Sequence, residues 1–452
     1  MVTNAQFQWK CHPEAETALL QILEESCRQN PGIEKLKNDL LTHTSTRLFD
    51  WVDHFVVGYS PELEFRLEKD GFVSESVTSS YRVLHHPGAQ LPRVVMKDTS
   101  TAIEAVAVTV DSIADFLMVR GISALIEGTP LSGYRRCVIS TEGGVSLLAV
   151  ERRGTNSMEP TYESEKYVQD YLFAVELWKT RPRHLADEDE AMKRTFAVVQ
   201  KMIALVGQNI ASWIVLECER EYWQSKNLAG QLQKNRQDTL GMGWANHDHH
   251  TFRSSRKHFI PLVRLFETLG FYTRERFYAG KEAGWGAQVM EHKHARLVLF
   301  LDVDLLPHEI EIDFRHEELP ELDKLSTVGL WCALHGDSIL QAGMHHLEAQ
   351  FMFEELTKDL SKLGVGMMQP FSSFPFLHQA FTKGENWPVD ASRVKKLLDK
   401  KLITKEQADK FLAQGAIGSH MENLQRREGY KGFNQSNVST IIRKTDPRNI
   451  NF

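Results

Sequence analysis

The same order of elements, one strand, one helix and then three strands, is predicted four times along this sequence. Apolar residues alternate in the predicted strands and recur every third or fourth position in the predicted helices. The four units begin near positions 50, 103, 249 and 345 of the 452 residues. This repetition predicts an α+β protein with four βαβββ units arranged in two pairs.

Helical sequence separates the two pairs, with long polar residues at helical spacing from about 163 to 240. A further helical stretch precedes the first pair, and its interruption at Asn30-Pro31-Gly32 predicts two helices there. The predicted domains are a helical lead-in at 1–45, a first paired-unit domain at 46–157, a helical linker at 158–240 and a second paired-unit domain at 241–452.

Composition excludes several classes of protein. A formal net charge of -7 argues against a nucleic-acid partner, because nucleic-acid binders usually present a basic face. The five cysteines have an odd count and no CxxC spacing, so neither a disulfide framework nor a zinc ribbon is indicated. No stretch has the ~18 consecutive apolar residues of a membrane span, and no targeting segment is recognisable. We therefore expect a soluble, cytoplasmic protein.

Residues 244–256, WANHDHHTFRSSR, concentrate histidines at the start of the third unit. Neutral imidazole is a common ligand of transition metals. Further along the chain, a histidine pair ends at His346 and a carboxylate stands at Glu422. Two histidines and one carboxylate form the ligand set of non-haem iron(II) oxygenases, which leaves three coordination positions open. We therefore predict a metal site formed by His249, His346 and Glu422.

Neighbouring histidines compete for both positions. Alternation along a strand places His250 on the face opposite to His249, whereas His247 is expected to share the face of His249. His345 and His346 are adjacent, so only one of them can face the interior, and periodicity does not choose between them. A histidine in a half-buried strand is also often a hydrogen-bonded core residue rather than a ligand.

Arg253 follows His249 by four residues, so the two side chains should share a strand face about 13 Å apart. A substrate carboxylate is a natural bidentate partner for such an arginine, while the alternative is an arginine exposed at the strand end. Glu422 could likewise be a surface carboxylate paired with Arg426. A second histidine cluster at 291–294 is most simply an exposed strand end.

The first pair of units repeats parts of the second. Two motifs recur, Asp-His at 53–54 and 248–249, and Arg-Arg at 152–153 and 426–427. Aligning the arginine pairs places Leu148 opposite Glu422, and the unit beginning near 103 contains no histidine. We therefore predict that the first pair is a metal-free structural duplicate.

Several short motifs of the C-terminal half, about residues 244–446, resemble one enzyme family. They are Asp248-His249-His250-Thr251-Phe252-Arg253, the FETLGF stretch at 266–271, Met290-Glu291-His292, Met344-His345-His346 and Met421-Glu422. This half resembles the 2-oxoadipate dioxygenase/decarboxylase family of the vicinal oxygen chelate superfamily, in which paired βαβββ units form a cupped sheet around one metal. The tail GYKGFNQSNVSTIIRKTD is similar to the C-terminus of 4-hydroxyphenylpyruvate dioxygenase.

The resemblance implies a catalytic metal-binding domain at 241–452 and a degenerate vicinal oxygen chelate-like domain at 46–157. It implies that iron(II) is held by His249, His346 and Glu422 and that Arg253 binds a substrate carboxylate. Further candidates for the substrate pocket or the outer sphere of the metal are Asp248, Gln350, Phe433 and Asn437. The sequence departs from the family pattern at Met421 and Asn423, where the family has aromatic residues.

The predicted function is that of a non-haem iron(II)-dependent dioxygenase/decarboxylase acting on a 2-oxo acid or a related metal-chelating carboxylate. Its expected partners are this small-molecule carboxylate and dioxygen, with no nucleic acid or membrane, and a homodimer is compatible with the sequence. One alternative is a metal-dependent lyase, isomerase or hydrolase on the same fold. Another is a non-enzymatic binding protein, in which both halves have lost activity.

Overall fold

The computed structural model of the chain describes residues 9–281, 283–434 and 445–448. Two helices come first, α1 (Pro13–Gln29) and α2 (Pro31–Thr44). Each begins with a proline, which suits the first helical position because no amide hydrogen is needed there. Between them, the side chain of Asn30 accepts a hydrogen bond from the backbone of Gly32 and caps α2. The predicted break into two helices is thus confirmed.

The first sheet contains two units joined through their first strands. Its elements are β1 (Val52–Gly58), α3 (Pro61–Lys69), β2 (Val73–Val77), β3 (Tyr81–His85), β4 (Arg93–Lys97), β5 (Ile103–Thr109), α4 (Ile113–Arg120), β6 (Ile126–Glu127), β7 (Tyr134–Glu142) and β8 (Val145–Arg152). The strand order is β2-β3-β4-β1-β5-β8-β7-β6. In each unit the last strand runs parallel to the first, and the two first strands pair antiparallel.

Four helices follow, α5 (Glu165–Lys179), α6 (Glu188–Val206), α7 (Gln208–Gln224) and α8 (Leu228–Asp238). Their buried side chains, among them Trp178, Ile214 and Trp223, belong to the same apolar core as Phe252 and Leu347 of the second sheet. The segment therefore does more than connect the halves, because it covers one face of the second sheet and shares its hydrophobic stabilisation.

The second sheet repeats the arrangement. Its elements are β9 (His247–Arg253), α9 (Arg256–Thr268), β10 (Tyr272–Tyr278), β11 (Trp285–His292), β12 (Leu297–Asp304), α10 (Thr327–His335), β13 (His346–Ala349), α11 (Phe353–Lys362), β14 (Ser372–Phe374), β15 (Leu377–Phe381), β16 (Glu385–Trp387), α12 (Ala391–Asp399), α13 (Lys405–Gln414) and β17 (Ala416–Arg426). The order is β10-β11-β12-β9-β13-β17-β15-β14, with β16 also paired to β17. Four βαβββ units in two pairs, an α+β fold, are therefore confirmed.

Helical insertions in the second half go beyond the repeat that the sequence predicts. α10 precedes the fourth unit, and α12 and α13 interrupt that unit before its last strand. These helices pack on one another through a small separate core that includes Leu330, Val394 and Phe411. Within the described ranges, no helix is both long enough and apolar enough to cross a membrane.

A buried histidine links the start of α9 to two other segments. Nδ1 of His258 lies 2.5 Å from a carboxylate oxygen of Asp337, and Nε2 lies 2.9 Å from one of Asp189. Burial opposes the charge on the imidazole, but the two carboxylates outweigh it and raise the pKa of His258 to about 9. The imidazolium therefore ties α9 to α6 and to the turn before residue 338.

This ion pair makes the stability of the fold depend on pH. The folded-state pKa of about 9 lies above the ordinary value of 6.5, so the contribution is fully present below that value and is lost as the pH rises through about 9. Between about pH 7 and pH 10, we expect the free energy of unfolding to fall by about 1–3 kcal/mol more than in His258→Gln. Urea denaturation at both pH values measures this difference, and equal slopes in the two proteins would contradict it.

Candidate metal centre

Three acidic or imidazole side chains lie in one row across the centre of the second sheet. Glu348 on β13 pairs in register with His249 on β9 and with Glu422 on β17. One ligand atom from each of the three lies within 4.8 Å of the other two, and all three residues are buried. The register of three strands thus brings together residues that are about 100 and 170 positions apart in the sequence.

Strand alternation directs these side chains into a common cavity. His249, Thr251 and Arg253 occupy alternate positions of β9, and His346 and Glu348 do so on β13; all five line the cavity. We call this cavity on the concave face of the second sheet the cup. It is also lined by the aromatic side chains Phe277, Trp285, Phe300, Phe371, Phe381 and Phe433.

The imidazole of His249 is held in one orientation by its neighbour. Its Nδ1 donates a hydrogen bond to Asp248 at 3.0 Å, and Asp248 in turn accepts two bonds from the guanidinium of Arg426, at 2.9 and 3.1 Å. Burial lowers the pKa of His249 to about 4, so the ring is neutral at pH 7. With its proton on Nδ1, the ring presents the lone pair of Nε2 to the cup, as a metal-binding histidine does.

That lone pair faces another acceptor. Nε2 of His249 lies 3.0 Å from Oε1 of Glu348, and two lone pairs at this distance repel each other unless a cation or a proton lies between them. Among the described residues, Oε2 of Glu348 has no hydrogen-bond partner, whereas Oε1 accepts a bond from Thr251 at 2.7 Å. The imidazole nitrogen and the carboxylate oxygens of this row are therefore suited to binding a cation.

The two carboxylates are stabilised in their protonated forms when no cation is bound. Burial raises the pKa of Glu422 to about 8, and burial together with the nearby charge of Glu422 raises the pKa of Glu348 well above its ordinary value. Gln379 donates a hydrogen bond to Glu422 at 3.0 Å. A divalent ion removes the repulsion between two buried carboxylates, so this pair fits a metal site.

His346 lies beside this row rather than in it. Its Nε2 is 2.5 Å from Oε1 of Glu348 and 3.6 Å from Oε2 of Glu422, and burial lowers the pKa of the ring well below its ordinary value. His345, the competing histidine, also reaches the cup, but its Nδ1 is bonded to the backbone oxygen of Gly418 at 3.1 Å. His346 is thus the member of the pair that contacts the carboxylates.

Arg253, the last residue of β9, also lines the cup. Its side chain lies on the same face of β9 as that of His249, in agreement with the sequence prediction. Its Nε is 3.8 Å from Oδ2 of Asp302, and its guanidinium lies 5.5 Å from the centre of the Trp331 ring. Within the described residues, Nε and Nη1 have no hydrogen-bond partner. A buried guanidinium with free donors fits an anionic group that enters the cup.

Two candidates from the sequence do not face the cup. Alternation predicts that His247 shares the face of His249, but a β-bulge between these residues breaks the alternation and brings the His247 ring to 5.3 Å from that of His250. Gln350, a predicted substrate contact, is absent from the cup lining, and its amide lies 3.5 Å from Asp248. It follows the end of β13, where the side-chain alternation of the strand no longer applies.

Other candidates have different outcomes. Phe433 lies in the cup, with its ring 4.7 Å from that of His249 and 4.6 Å from that of Phe300. Asn437 lies outside the described residues. In the 291–294 cluster, His292 is buried but away from the cup, where its Nδ1 accepts a hydrogen bond from the backbone of Ala295.

The first sheet keeps the framework of this site and its histidine but lacks its two carboxylates. Arg152 makes two hydrogen bonds to Asp53 at 2.9 and 2.7 Å, and Asp53 accepts one from Nδ1 of His54 at 2.7 Å. The row across β1, β5 and β8 consists of His54, Ala107 and Leu148. The alignment of Leu148 with Glu422 is confirmed, and the methyl and isobutyl groups of this row offer no metal ligand.

Sequence reasoning missed Glu348, although a signal was present. Its position two residues after His346 on a predicted strand implies that both side chains share a face. The predicted set of two histidines and one carboxylate takes its carboxylate from Glu422 and its second histidine from His346, so it leaves no place for Glu348. The position of Gln379 beside Glu422 depends on pairing between β15 and β17, which the sequence does not specify.

No protein-family model matches the chain, and no curated protein sequence is significantly similar to it. Solved structures can be aligned with it at low identity. One is a triple mutant of 4-hydroxymandelate synthase from Streptomyces coelicolor, with 12% identity over 89% of this chain and 98% of that chain and a TM-score of 0.30. Another is the Mn(II)-bound glyoxalase from Novosphingobium aromaticivorans, with 8% identity over 84% and 82% and a TM-score of 0.20.

A third is methylmalonyl-CoA epimerase from Mycobacterium tuberculosis, with 10% identity over 40% of this chain and 89% of that chain and a TM-score of 0.23. Similarity at this level says nothing about activity. The assignment of paired βαβββ units rests on the strand order of this chain itself. The narrower resemblance to the 2-oxoadipate dioxygenase/decarboxylase family stays a prediction.

The duplicated Asp-Arg pair provides a matched test of the metal site. We expect Asp248→Asn to weaken binding of a divalent metal by about 10–100-fold, because it removes the carboxylate that orients His249. Asp53→Asn, the equivalent change in the first sheet, should leave metal affinity unchanged. Competition with a chromophoric chelator measures both affinities. Equal effects of the two substitutions would show that Asp248 does not act through a local metal site.

Proposed function

We propose that this chain is a metal-dependent enzyme whose catalytic ion is bound in the cup by His249, Glu348 and Glu422. The observation that carries the proposal is the row of these three residues, with the lone pair of His249 aimed at a carboxylate oxygen 3.0 Å away. Three ligands on one side leave three coordination positions for substrate and co-substrate. In this proposal Glu348 takes the place that the sequence prediction gives to His346, and His346, with its Nε2 2.5 Å from Oε1 of Glu348, would position that carboxylate.

The reaction that we propose is oxidation of a 2-oxo acid or a related chelating carboxylate by dioxygen, with decarboxylation and with iron(II) as the metal. A bound iron(II) ion would supply Lewis acidity and one-electron chemistry with dioxygen at this position. The chain itself would orient the substrate, with Arg253 pairing with a carboxylate at the far end of the cup. Phe300 and Phe433, packed against His249, would keep water away from the reacting atoms.

Two features also support a second candidate, a metal-dependent lyase, isomerase or hydrolase. A site with two carboxylates and one imidazole suits manganese as well as iron, because carboxylate oxygen is a preferred ligand of manganese. In addition, burial raises the pKa of Asp302 to about 7, so this carboxyl group beside Arg253 can accept or give a proton near neutral pH. Such a group serves reactions that move a proton without consuming dioxygen.

Oxygen consumption discriminates between the two candidates. We expect the protein, loaded anaerobically with one equivalent of iron(II), to take up dioxygen and release carbon dioxide in equal amounts when a 2-oxo acid is added. An oxygen electrode and mass spectrometry of the product measure this reaction. Turnover without oxygen uptake, with manganese or zinc, would favour the second candidate. Failure to bind any of these metals would exclude both and leave a binding protein.

Arg253→Met is the informative variant in the same assay. If Arg253 pairs with a second carboxylate of the substrate, its loss should raise KM for dicarboxylic 2-oxo acids by about 10–100-fold, and Arg253→Lys should recover part of this loss. The KM for monocarboxylic 2-oxo acids should change much less. An equal effect on both substrate classes would contradict a carboxylate-binding role for Arg253.

The proposed ligand set is tested by comparing three substitutions. We expect Glu348→Gln and Glu422→Gln to weaken metal binding by more than about 100-fold, because each removes a ligand, whereas His346→Gln should cost about tenfold as the loss of an outer partner. Glu354→Gln, an exposed position on α11, is the control. Competition with a chelator gives the affinities. A larger loss in His346→Gln than in Glu348→Gln would restore His346 as the ligand.

A further inference from the structure

A second, larger cavity lies between the two halves of the chain, separate from the cup. It has a volume of about 600 Å³, which is within the usual range of small-molecule sites. Its lining includes the start of β4, the turn between β11 and β12 and the segment after β17. We call it the interdomain chamber, and none of the proposed metal ligands lines it.

Positive charge exceeds negative charge in the lining of the interdomain chamber. Eight lysine and arginine side chains line it, against six aspartate and glutamate side chains. Two of these cations, Arg152 and Arg296, share Asp53 as their partner. Lys431 pairs with Glu291, which also lies 3.3 Å from Arg274, a residue outside the lining. The chamber therefore contains guanidinium and ammonium groups that are not individually neutralised by the chain.

Arg296 shows this imbalance most clearly. Its Nε and Nη1 donate hydrogen bonds at 3.0 Å to Asn156 and Asp53, but Nη2 has no hydrogen-bond partner among the described residues. Asp53 is already bound through both of its oxygens by Arg152. Burial and the charge of Arg152 hold the pKa of Arg296 well below its ordinary value. An anion bound at Nη2 would stabilise the charged guanidinium of Arg296 against both the burial and the charge of Arg152.

Two further cations border Arg296. Lys293 lies three residues earlier in the same turn, is exposed, and forms no ion pair with a carboxylate of the described part of the chain. Arg427, after β17, donates its hydrogen bonds to the backbone oxygen of Arg426 and to the sulfur of Met352 rather than to a carboxylate. The turn at 293–296, which overlaps the histidine cluster and has no role in the cup, thus places a lysine and an arginine in the interdomain chamber.

We propose that the interdomain chamber is a binding site for a small organic anion that carries more than one carboxylate or phosphate group. Nη2 of Arg296 would donate to one anionic group, and Lys293 would neutralise part of the remaining charge. The chamber volume admits a molecule well beyond the size of a single inorganic ion. This site is independent of the metal and of the reaction proposed for the cup.

The test is calorimetric titration of the metal-free 452-residue chain with two probes, citrate for polycarboxylates and inorganic pyrophosphate for phosphates. We expect one saturable site per chain for at least one probe, and the preferred probe identifies the ligand class. Arg296→Gln should weaken binding by about tenfold or more, since a charge-assisted hydrogen bond is lost. Lys293→Gln should weaken it several-fold.

Two variants distinguish this site from a general effect of surface charge and from anion binding in the cup. Lys405→Gln removes one charge from an exposed position on α13, and Arg253→Met removes the free guanidinium of the cup; neither should change the affinity. No saturable binding of either probe, an equal loss in Lys405→Gln, or abolition by Arg253→Met would each overturn the proposal. If Arg296→Gln does not fold, Lys293→Gln and hydrogen exchange at residues 293–297 with and without the probe decide the outcome.

Discussion

The register of three central strands is the constraint on which the candidate site depends. Hydrogen bonds between β9, β13 and β17 place His249, Glu348 and Glu422 in one row, and strand alternation turns all three inward. A shift by one residue in any of these strands would turn its side chain to the opposite face of the sheet. The same register buries two carboxylates side by side, an arrangement that is costly without a cation or shared protons. Fold and proposed chemistry are therefore coupled at one set of backbone hydrogen bonds.

Comparison of the two sheets separates what the scaffold requires from what a metal requires. Both sheets keep an aspartate on the first strand bound by two hydrogen bonds to an arginine near the end of the last strand, and both keep the adjacent histidine. Only the second sheet has carboxylates in the other two positions of the row. The Asp-Arg pair therefore stabilises the junction of two units wherever it occurs, and Glu348 and Glu422 are the residues that carry the metal hypothesis.

Charge is distributed unevenly between the two cavities of the chain. The cup contains neutral imidazoles, one guanidinium and three buried carboxyl groups whose pKa values are raised, whereas the interdomain chamber contains an excess of guanidinium and ammonium groups. Asp248 and Arg426 separate the two, since both line the chamber while Asp248 also orients His249 in the cup. A cation is thus favoured on one side of this ion pair and an anion on the other.

The sequence was sufficient to predict the four βαβββ units, the faces of His249 and Arg253, and the equivalence of Leu148 and Glu422, because these follow from local periodicity and internal repetition. It did not determine which residues meet. The bulge that turns His247 away and the contact of Gln379 with Glu422 depend on pairing between strands distant in the sequence. Glu348 gained its significance only from its cross-strand neighbours. Convergence of this kind is decided by tertiary structure, since periodicity fixes the face of a residue but not the register of its partner strand.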